Sequence, residues 1–412
     1  MSVEPVRRIS ETRKNDWKQN MKCSSGITPL IALSMSILAS EAKAHTDSTK
    51  TIGTLPNAHF SVPKPLSDSC DNPLRVTFLG DFFVNSKNFE KINLEGAKDI
   101  LSWGHFNVAN FEGNTVDPKK TSRAFPDFPF ALAMDLNAPS ILSKAGILYA
   151  TRANNHAMDF GPEGMRQTSA ALQQEKIKWA GVGENIVEAA KPMSLEHNGT
   201  KVAVFSFAST WPEESWATTE RPGIAYPTVQ RLITAIREAK ATHDFIVVAF
   251  HWGGELTTEL RPYQHGLVQA TFDAGADVIY GHHAHMAQGI ELRDKKPLAW
   301  GLGNFLFSSI GKEKNMSFAM HAEFCKANDK NSVHTAYTAI ETGSILAQTG
   351  VFPMSQSRFL QYVGRYQKEN ILSPHTLFFI PSEGKTLTLE EWKKESQQGN
   401  AGQTLKKNSL GG

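Results

Sequence analysis

The segment Gly281-His282-His283-Ala284-His285 sets three imidazoles within four residues, directly after the apolar run Asp277-Val278-Ile279-Tyr280. A strand ending in such a turn delivers its rings to the edge of a sheet, where imidazole nitrogen is a favoured ligand for transition metals. Other apolar runs end in a similar way. One leads into Gly80-Asp81, another into Asn110-Phe111-Glu112-Gly113-Asn114, and a third into Asn154-Asn155-His156, with Asp159 close behind. Two more end in His251-Trp252-Gly253-Gly254-Glu255 and Gly301-Leu302-Gly303-Asn304-Phe305.

Carboxylates, amides and imidazoles without thiolate suit Mn, Fe or Zn. The chemistry this predicts is hydrolysis assisted by one or two divalent metal ions. Two ions about 3.5–4 Å apart need a bridging carboxylate and several neutral ligands. Asp81 is the natural bridge or first ligand, Glu112 a second anion, and Asn155 a carbonyl donor, while His251, His283 and His285 supply imidazoles. His156 adjoins Asn155 and would protonate a leaving group or steady an oxyanion, with Asp159 as its orienting partner. Asn114, Trp252, Glu255, His282 and Asn304 share the same strand-end segments and are read as substrate contacts. Singly, each motif has a plainer reading. Gly-Asp is a common turn, Asn-Asn-His can cap a loop, His251-Trp252 can be a packed pair, and Leu302–Phe305 a tight strand exit. Their recurrence along one chain argues for one site. Phe125, Phe128, Phe130, Trp211, Trp216 and Trp252 either line a groove for an extended substrate or pack in the core and under loops; packing is the favoured reading.

The elements that must position these residues read as α/β. Strands are expected at Arg75–Leu79, Phe106–Ala109, Gly146–Ala150, Val202–Phe207, Phe245–Phe250, Asp277–Tyr280 and Pro297–Trp300. Helical patterns fall between them, at Gly164–Lys176, after Pro227 with Val229, Leu232, Ile233 and Ile236 in phase, and at Pro262–Ala274. After Phe307 the strand candidates Ser317–Phe324, His334–Ile340 and Gln348–Phe352 follow without helices between them, which predicts an antiparallel finish, and Phe359–Gln367 reads as a helix.

The chain has 412 residues, 40% hydrophobic and 20% charged, with a formal net charge of +2. That near-balance argues against nucleic acid as a partner. Residues 1–44 read as targeting: Lys22, the apolar stretch Ile27–Ala39, then Ala42-Lys43-Ala44. The expectation is an exported protein, periplasmic or secreted, or held at the membrane if that segment is not cleaved. Residues 45–72 read as a linker or N-terminal arm, 73–360 as the folded domain, and 361–412 as a polar extension, disordered from about 395. Export permits a Cys70–Cys325 disulfide, but two unrelated buried thiols are equally consistent with the sequence.

Together, Gly80-Asp81, Asn110-Phe111-Glu112, Asn154-Asn155-His156-Ala157-Met158-Asp159-Phe160-Gly161, Gly181-Val182-Gly183-Glu184-Asn185, His251-Trp252-Gly253, Gly281-His282-His283-Ala284-His285 and Gly301-Leu302-Gly303-Asn304-Phe305 resemble the capsule-synthesis CapA family, over about residues 73–355. The resemblance implies a four-layer α/β/β/α sandwich like that of calcineurin-type metallophosphatases, with the site at a sheet edge. It implies a metal-dependent hydrolase in capsule or surface-polymer synthesis, with a poly-gamma-glutamate-like polymer or a small phosphoester as substrate. The alternative is a non-catalytic component that binds polymer or partner in a capsule assembly or export complex at the membrane. Two departures stand out. The wider metallophosphatase pattern has Asp-x-His on its first strand, whereas Asp81 is followed by Phe82-Phe83; and Ala284 stands where proline is usual.

Overall fold

Strands buried on both faces read as continuous apolar runs, because each alternate side chain meets a different hydrophobic layer. That is the arrangement in the computed structural model of this chain, which describes residues 66–67, 70–308, 316–327, 331–342, 349–353, 377–380 and 385–388. The strands used below are β1 (Leu74–Phe83), β2 (Phe106–Phe111), β3 (Tyr149–Thr151), β4 (Lys178–Ala180), β5 (Thr200–Ala208), β6 (Phe245–His251), β7 (Val278–His282), β8 (Lys296–Ala299), β9 (Asn304–Phe307), β10 (Met316–Cys325) and β11 (Ser332–Thr342). The helices are α1 (Ala138–Lys144), α2 (Gly161–Gln174), α3 (Val229–Lys240) and α4 (Pro262–Ala274).

In the first sheet β1, β2, β3 and β4 run parallel, and β10 and β11 continue it antiparallel on the other side of β1. The second sheet has β5, β6, β7 and β8 parallel, edged by the antiparallel strands Met193–His197 and Ile290–Arg293. Val202 and Val204 of β5, Val247 of β6 and Tyr280 of β7 face Val76, Phe78, Phe318 and Met320 of the first sheet. The intervening residues Phe205, Val248 and Ile279 face outward against Leu232 and Ile236 of α3 and Val268 and Phe272 of α4. On the far side, Leu79, Phe82 and Phe111 pack with Leu142 of α1 and Leu172 of α2. Three hydrophobic layers between four structural layers make the expected α/β/β/α sandwich.

Most strands outrun their predicted ends, although β8 stops at Ala299, one residue short. β1 continues through Asp81 to Phe83 because its register shifts around Asp81, freeing its last residues to pair with β9. β7 runs to His282 and β6 to His251, so these histidines are strand residues. The chain leaves β8 at Ala299, and Gly303, at φ 76°, turns it directly into a further strand, β9, which Leu302–Phe305 enters. β4, β9, Met193–His197 and Ile290–Arg293 were not expected from sequence; at five residues or fewer, each is too short to show a period. The antiparallel finish is present and joins the first sheet through β10. Residues 1–44, most of the predicted arm, the Phe359–Gln367 helix and the tail beyond 395 lie outside the described residues. Among the described residues no helix is long and apolar enough to cross a membrane.

Cys70 and Cys325 form a disulfide, with Cα atoms 5.7 Å apart, that ties the approach to β1 to the end of β10. Beside it Arg75 Nε meets buried Glu323 Oε1 at 2.8 Å, and the Leu66 amide donates to Glu323 Oε2 at 2.7 Å.

Candidate metal centre

Parallel strands of both sheets end at one edge, where ligands of open α/β sheets gather. Asp81 lies at the β1 register shift, level with Asn110 of β2 and Asn304 of β9. Close approach of β1 and β9 requires Gly80: a Cβ there would lie 1.9 Å from the Gly303 carbonyl oxygen. From the second sheet, His251 and His282 are level at the ends of β6 and β7. The chain then turns so tightly that His283 (φ 91°) and His285 (φ 55°) take left-handed conformations. L residues with side chains avoid that region, and strain of this kind persists where surrounding structure demands it, commonly at functional sites.

Asp81, Glu112 and His285, all buried, bring ligand atoms within 4.8 Å of one another. His285 Nδ1 lies 3.4 Å from Asp81 Oδ2, and its Nε2 lies 3.6 Å from Glu112 Oε1. Beside them sits a second group. His251 Nε2 is 2.7 Å from Asn155 Oδ1 and 3.1 Å from His283 Nδ1, and 3.8 Å from Glu112 Oε1. The carboxylates thus adjoin His285 on one side and the neutral donors of the second group on the other. Glu112 Oε1 is fully buried and accepts no hydrogen bond. An unsatisfied buried acceptor costs about 1–3 kcal/mol, and more when charged. A divalent cation among these donors would remove that cost, so the residues present fit the expected metal.

The electrostatics agree. Burial pushes Glu112 well above the usual carboxylate range, reinforced by the charge of Asp81. Burial would raise Asp81 too, but contacts with His282 and His285 outweigh it and hold that carboxyl well below its ordinary value. Burial opposes protonation of His285, yet Glu112 and Asp81 raise it to about 9. Burial, then neighbouring histidines, lowers His251 well below its ordinary value and His283 to about 3. Two buried carboxylates among histidines with such divergent proton affinities could hold a cation.

His156 Nδ1 bonds Asp159 Oδ2 at 2.7 Å, and the Leu132 amide donates to the same oxygen at 2.7 Å. Asp159 therefore fixes the His156 ring, as an orienting partner would. Its backbone carbonyl also accepts from Ala124 N at 2.7 Å, so both ends of the 124–132 loop are tied to Asp159.

The residues read as substrate contacts are mostly placed elsewhere. Asn114 is buried and donates to the Ala157 carbonyl at 2.9 Å, joining the loop before α2 to the segment that follows β2. Trp252 is buried, stacked on Phe250 at 4.5 Å, with Nε1 donating to the Trp300 carbonyl at 2.9 Å. His282 follows Tyr280 on the inward side of β7, its Nδ1 2.8 Å from Asp81 Oδ1, so it lies behind the carboxylate. Asn304 places Oδ1 2.9 Å from His285 Nδ1 and donates to the His285 carbonyl, so its amide holds His285. All four are corrections with one cause: at a strand end, burial decides whether a polar side chain braces the site or faces substrate. Glu255 alone is exposed.

Two bracing residues were not singled out from sequence. Asn110 Nδ2 donates to Asp81 Oδ1 at 2.8 Å and lies 3.3 Å from His251 Nδ1, linking the two sheets at the site. Asn154 Nδ2 donates to the Phe111 carbonyl at 2.9 Å while its Oδ1 accepts from the His156 amide at 3.1 Å. The available signal was Asn110 two residues before Glu112, an amide inside an apolar strand. Where the wider pattern would have histidine, Phe83 packs on Phe307 at 5.2 Å, and Phe307 in turn meets the His285 ring at 4.5 Å.

Comparison with known proteins places this geometry in a family. The chain is 29% identical over 245 residues to the PGA biosynthesis protein CapA of Bacillus subtilis (strain 168), covering 58% of this chain and 64% of that protein. It is 28% identical over 254 residues to the capsule biosynthesis protein CapA of Bacillus anthracis, covering 59% and 62%. The match thus spans less than two thirds of either relative. Among solved structures, the 5'-nucleotidase precursor of Thermus thermophilus is similar at a TM-score of 0.41 and 12% identity, over 72% of this chain and 59% of that one. The family described as "Bacterial capsule synthesis protein PGA_cap" matches residues 75–309, more than half of the chain, and the chain belongs to that family.

Proposed function

We propose that this protein is an exported metal-dependent hydrolase of metallophosphatase type, acting on a phosphoester or a glutamyl amide during synthesis of a capsule or surface polymer. The observation that carries this reading is the convergence of Asp81, Glu112 and His285 beside Asn155, His251 and His283, with the orphaned Glu112 Oε1 among them. A divalent ion (Mn, Fe or Zn) held there would act as a Lewis acid and make water nucleophilic near neutral pH. Asp81 and Glu112 provide its countercharge. Asn110 and Asn304 keep the carboxylates and His285 aligned. His156, oriented by Asp159, stands ready to pass a proton to the leaving group. Export, the targeting role of residues 1–44 and docking on a membrane-bound polymer-synthesis complex belong to the same proposal.

One observation favours the alternative, a component that binds polymer or a partner without turnover: Phe83, packed on Phe307, stands where the wider metallophosphatase pattern has its histidine, which weakens the case for two full metal positions.

The test is metal content per chain of the full protein beside a His283→Ala/His285→Ala variant, followed by turnover of bis(p-nitrophenyl) phosphate and poly-gamma-glutamate. One or two equivalents of Mn, Fe or Zn, lost in the variant together with turnover, is the expected outcome. No metal in either protein after incubation with Mn and Zn would sink the hydrolase reading and leave the binding one.

A further inference from the structure

We propose that a second pocket, at the end of the sandwich remote from the metal centre, binds an uncharged apolar molecule through a hydrogen-bond acceptor. Strand direction places it. Phe245 opens β6 and Lys296 opens β8, and both line the pocket. His251, at the far end of β6, belongs to the metal centre. The span from Phe245 to His251 rises roughly 20 Å, so a small molecule in this pocket does not reach the metal ligands. The facing wall is the first half of β11, from Ser332 to Tyr337. The space between the two sheets here is about 680 Å³, within the range that takes drug-sized molecules.

Leu66, Phe245, Ile290, Pro297 and Val333 give the pocket an apolar lining. Tyr337 is the exception. It is 2% exposed, and its Oη makes no hydrogen bond among the described residues. Thr335, on the same face of β11, lies near it without meeting hydrogen-bond geometry. Buried hydroxyls are nearly always bonded, so an orphaned one beside a cavity calls for a partner. Burial pushes the phenol above its ordinary value, so it stays protonated and donates. The partner it lacks is therefore an acceptor. The charged groups around the pocket are already engaged. Lys296 Nζ donates to the Phe272 and Ala276 carbonyls at 3.2 and 2.9 Å. Glu291 Oε1 accepts from Arg293 at 2.7 Å and from Trp300 Nε1 at 3.2 Å. Asp277 Oδ2 accepts the Ile246 amide at 2.8 Å, and burial raises its carboxyl above the ordinary value. Asp294 and Lys295, exposed at the turn before β8, carry opposite signs. Apolar walls and one unpaired donor thus select an uncharged ligand with an acceptor over an ion.

The experiment is fluorescence titration of the full protein with Prodan, an uncharged naphthalene ketone. Its emission moves to shorter wavelength when its carbonyl loses a hydrogen bond. Tyr337→Phe removes only the hydroxyl, Val333→Trp fills the pocket from a half-buried position, and His283→Ala/His285→Ala reports binding at the metal centre. Melting curves check that each variant folds. Wild type should bind Prodan saturably, and the histidine variant equally well. Tyr337→Phe should bind about threefold to tenfold more weakly, with emission at shorter wavelength, and Val333→Trp should bind more weakly still. No saturable binding, or binding and emission indifferent to Tyr337→Phe, would overturn the proposal. So would binding lost only in the histidine variant. The pocket shares no residue with the metal centre, so its failure leaves the proposed function standing.

Discussion

Asp81 and Glu112 share one buried cluster yet are driven in opposite directions, and a pH dependence follows. His251 and His283 are depressed, so they contribute stability that is present above their ordinary 6.5 and lost as pH falls, for His283 towards about 3. His285 is raised, so its contribution is complete below 6.5 and lost as pH rises through about 9. Glu112, raised from 4.5, loses stability on the rising side as well. Metal-free protein should therefore be most stable near pH 6.5, and melting curves in chelator should show a loss on the order of 3 kcal/mol towards pH 9. Saturating Mn should flatten that upper limb, because bound metal requires Glu112 and His285 deprotonated. Equal stability at pH 6.5 and 9 in chelator would contradict the assignment. Catalysis has its own test. His156→Ala should retain its metal while turnover of whichever screened substrate is active falls about 100- to 10,000-fold. Asp159→Asn should lose less, since the ring stays in place but is less firmly oriented. Full turnover by His156→Ala would remove that residue from the chemistry.

Among the elements, the junction of β1 and β9 is the least forgiving. Gly80→Ala would drive a methyl group into the Gly303 carbonyl, backbone against backbone, with no flexible atom to yield. A loss of about 3 kcal/mol or more is expected in denaturant titration. Gly199→Ala is the control: φ there is 78°, but a Cβ would meet nothing within 4 Å. Only the strain of the left-handed conformation remains, about 1–2 kcal/mol. Similar losses at both positions would mean that β1 and β9 can separate and that Asp81 is less rigidly held than argued.

For the whole molecule, the Cys70–Cys325 bond joins residues 255 apart in sequence, enclosing nearly the entire sandwich. Loop-closure entropy of that length is worth up to about 5 kcal/mol against the unfolded chain. A Cys70→Ser/Cys325→Ser variant should melt markedly lower, and reductant should lower wild type to match it while leaving the variant unmoved. Because the bond lies at β1 and β10, away from the strand ends that carry the site, metal content of the variant should be unchanged at temperatures where it remains folded. Loss of metal in a folded variant would show that the two ends of β1 are coupled.

Much of this protein is legible along the chain because strands buried on both faces must be apolar, and polar residues at their ends stand out against them. Asp81, Glu112, Asn155, His251, His283 and His285 were all singled out in that way, and the structure brings them together; the α/β order and the antiparallel finish were legible likewise. Sequence could not tell which strand-end side chains turn inward. His282 and His283 are adjacent, yet one lies behind Asp81 and the other beside His251. That difference arises from strand parity and a left-handed turn, which depend on the neighbouring strands. The fates of Asn114, Trp252 and Asn304, the bracing role of Asn110 and the pairing of Cys70 with Cys325 were likewise decided only when distant segments met. Residue type and local period are properties of the chain, whereas burial and partnership exist only once the two sheets have closed on each other.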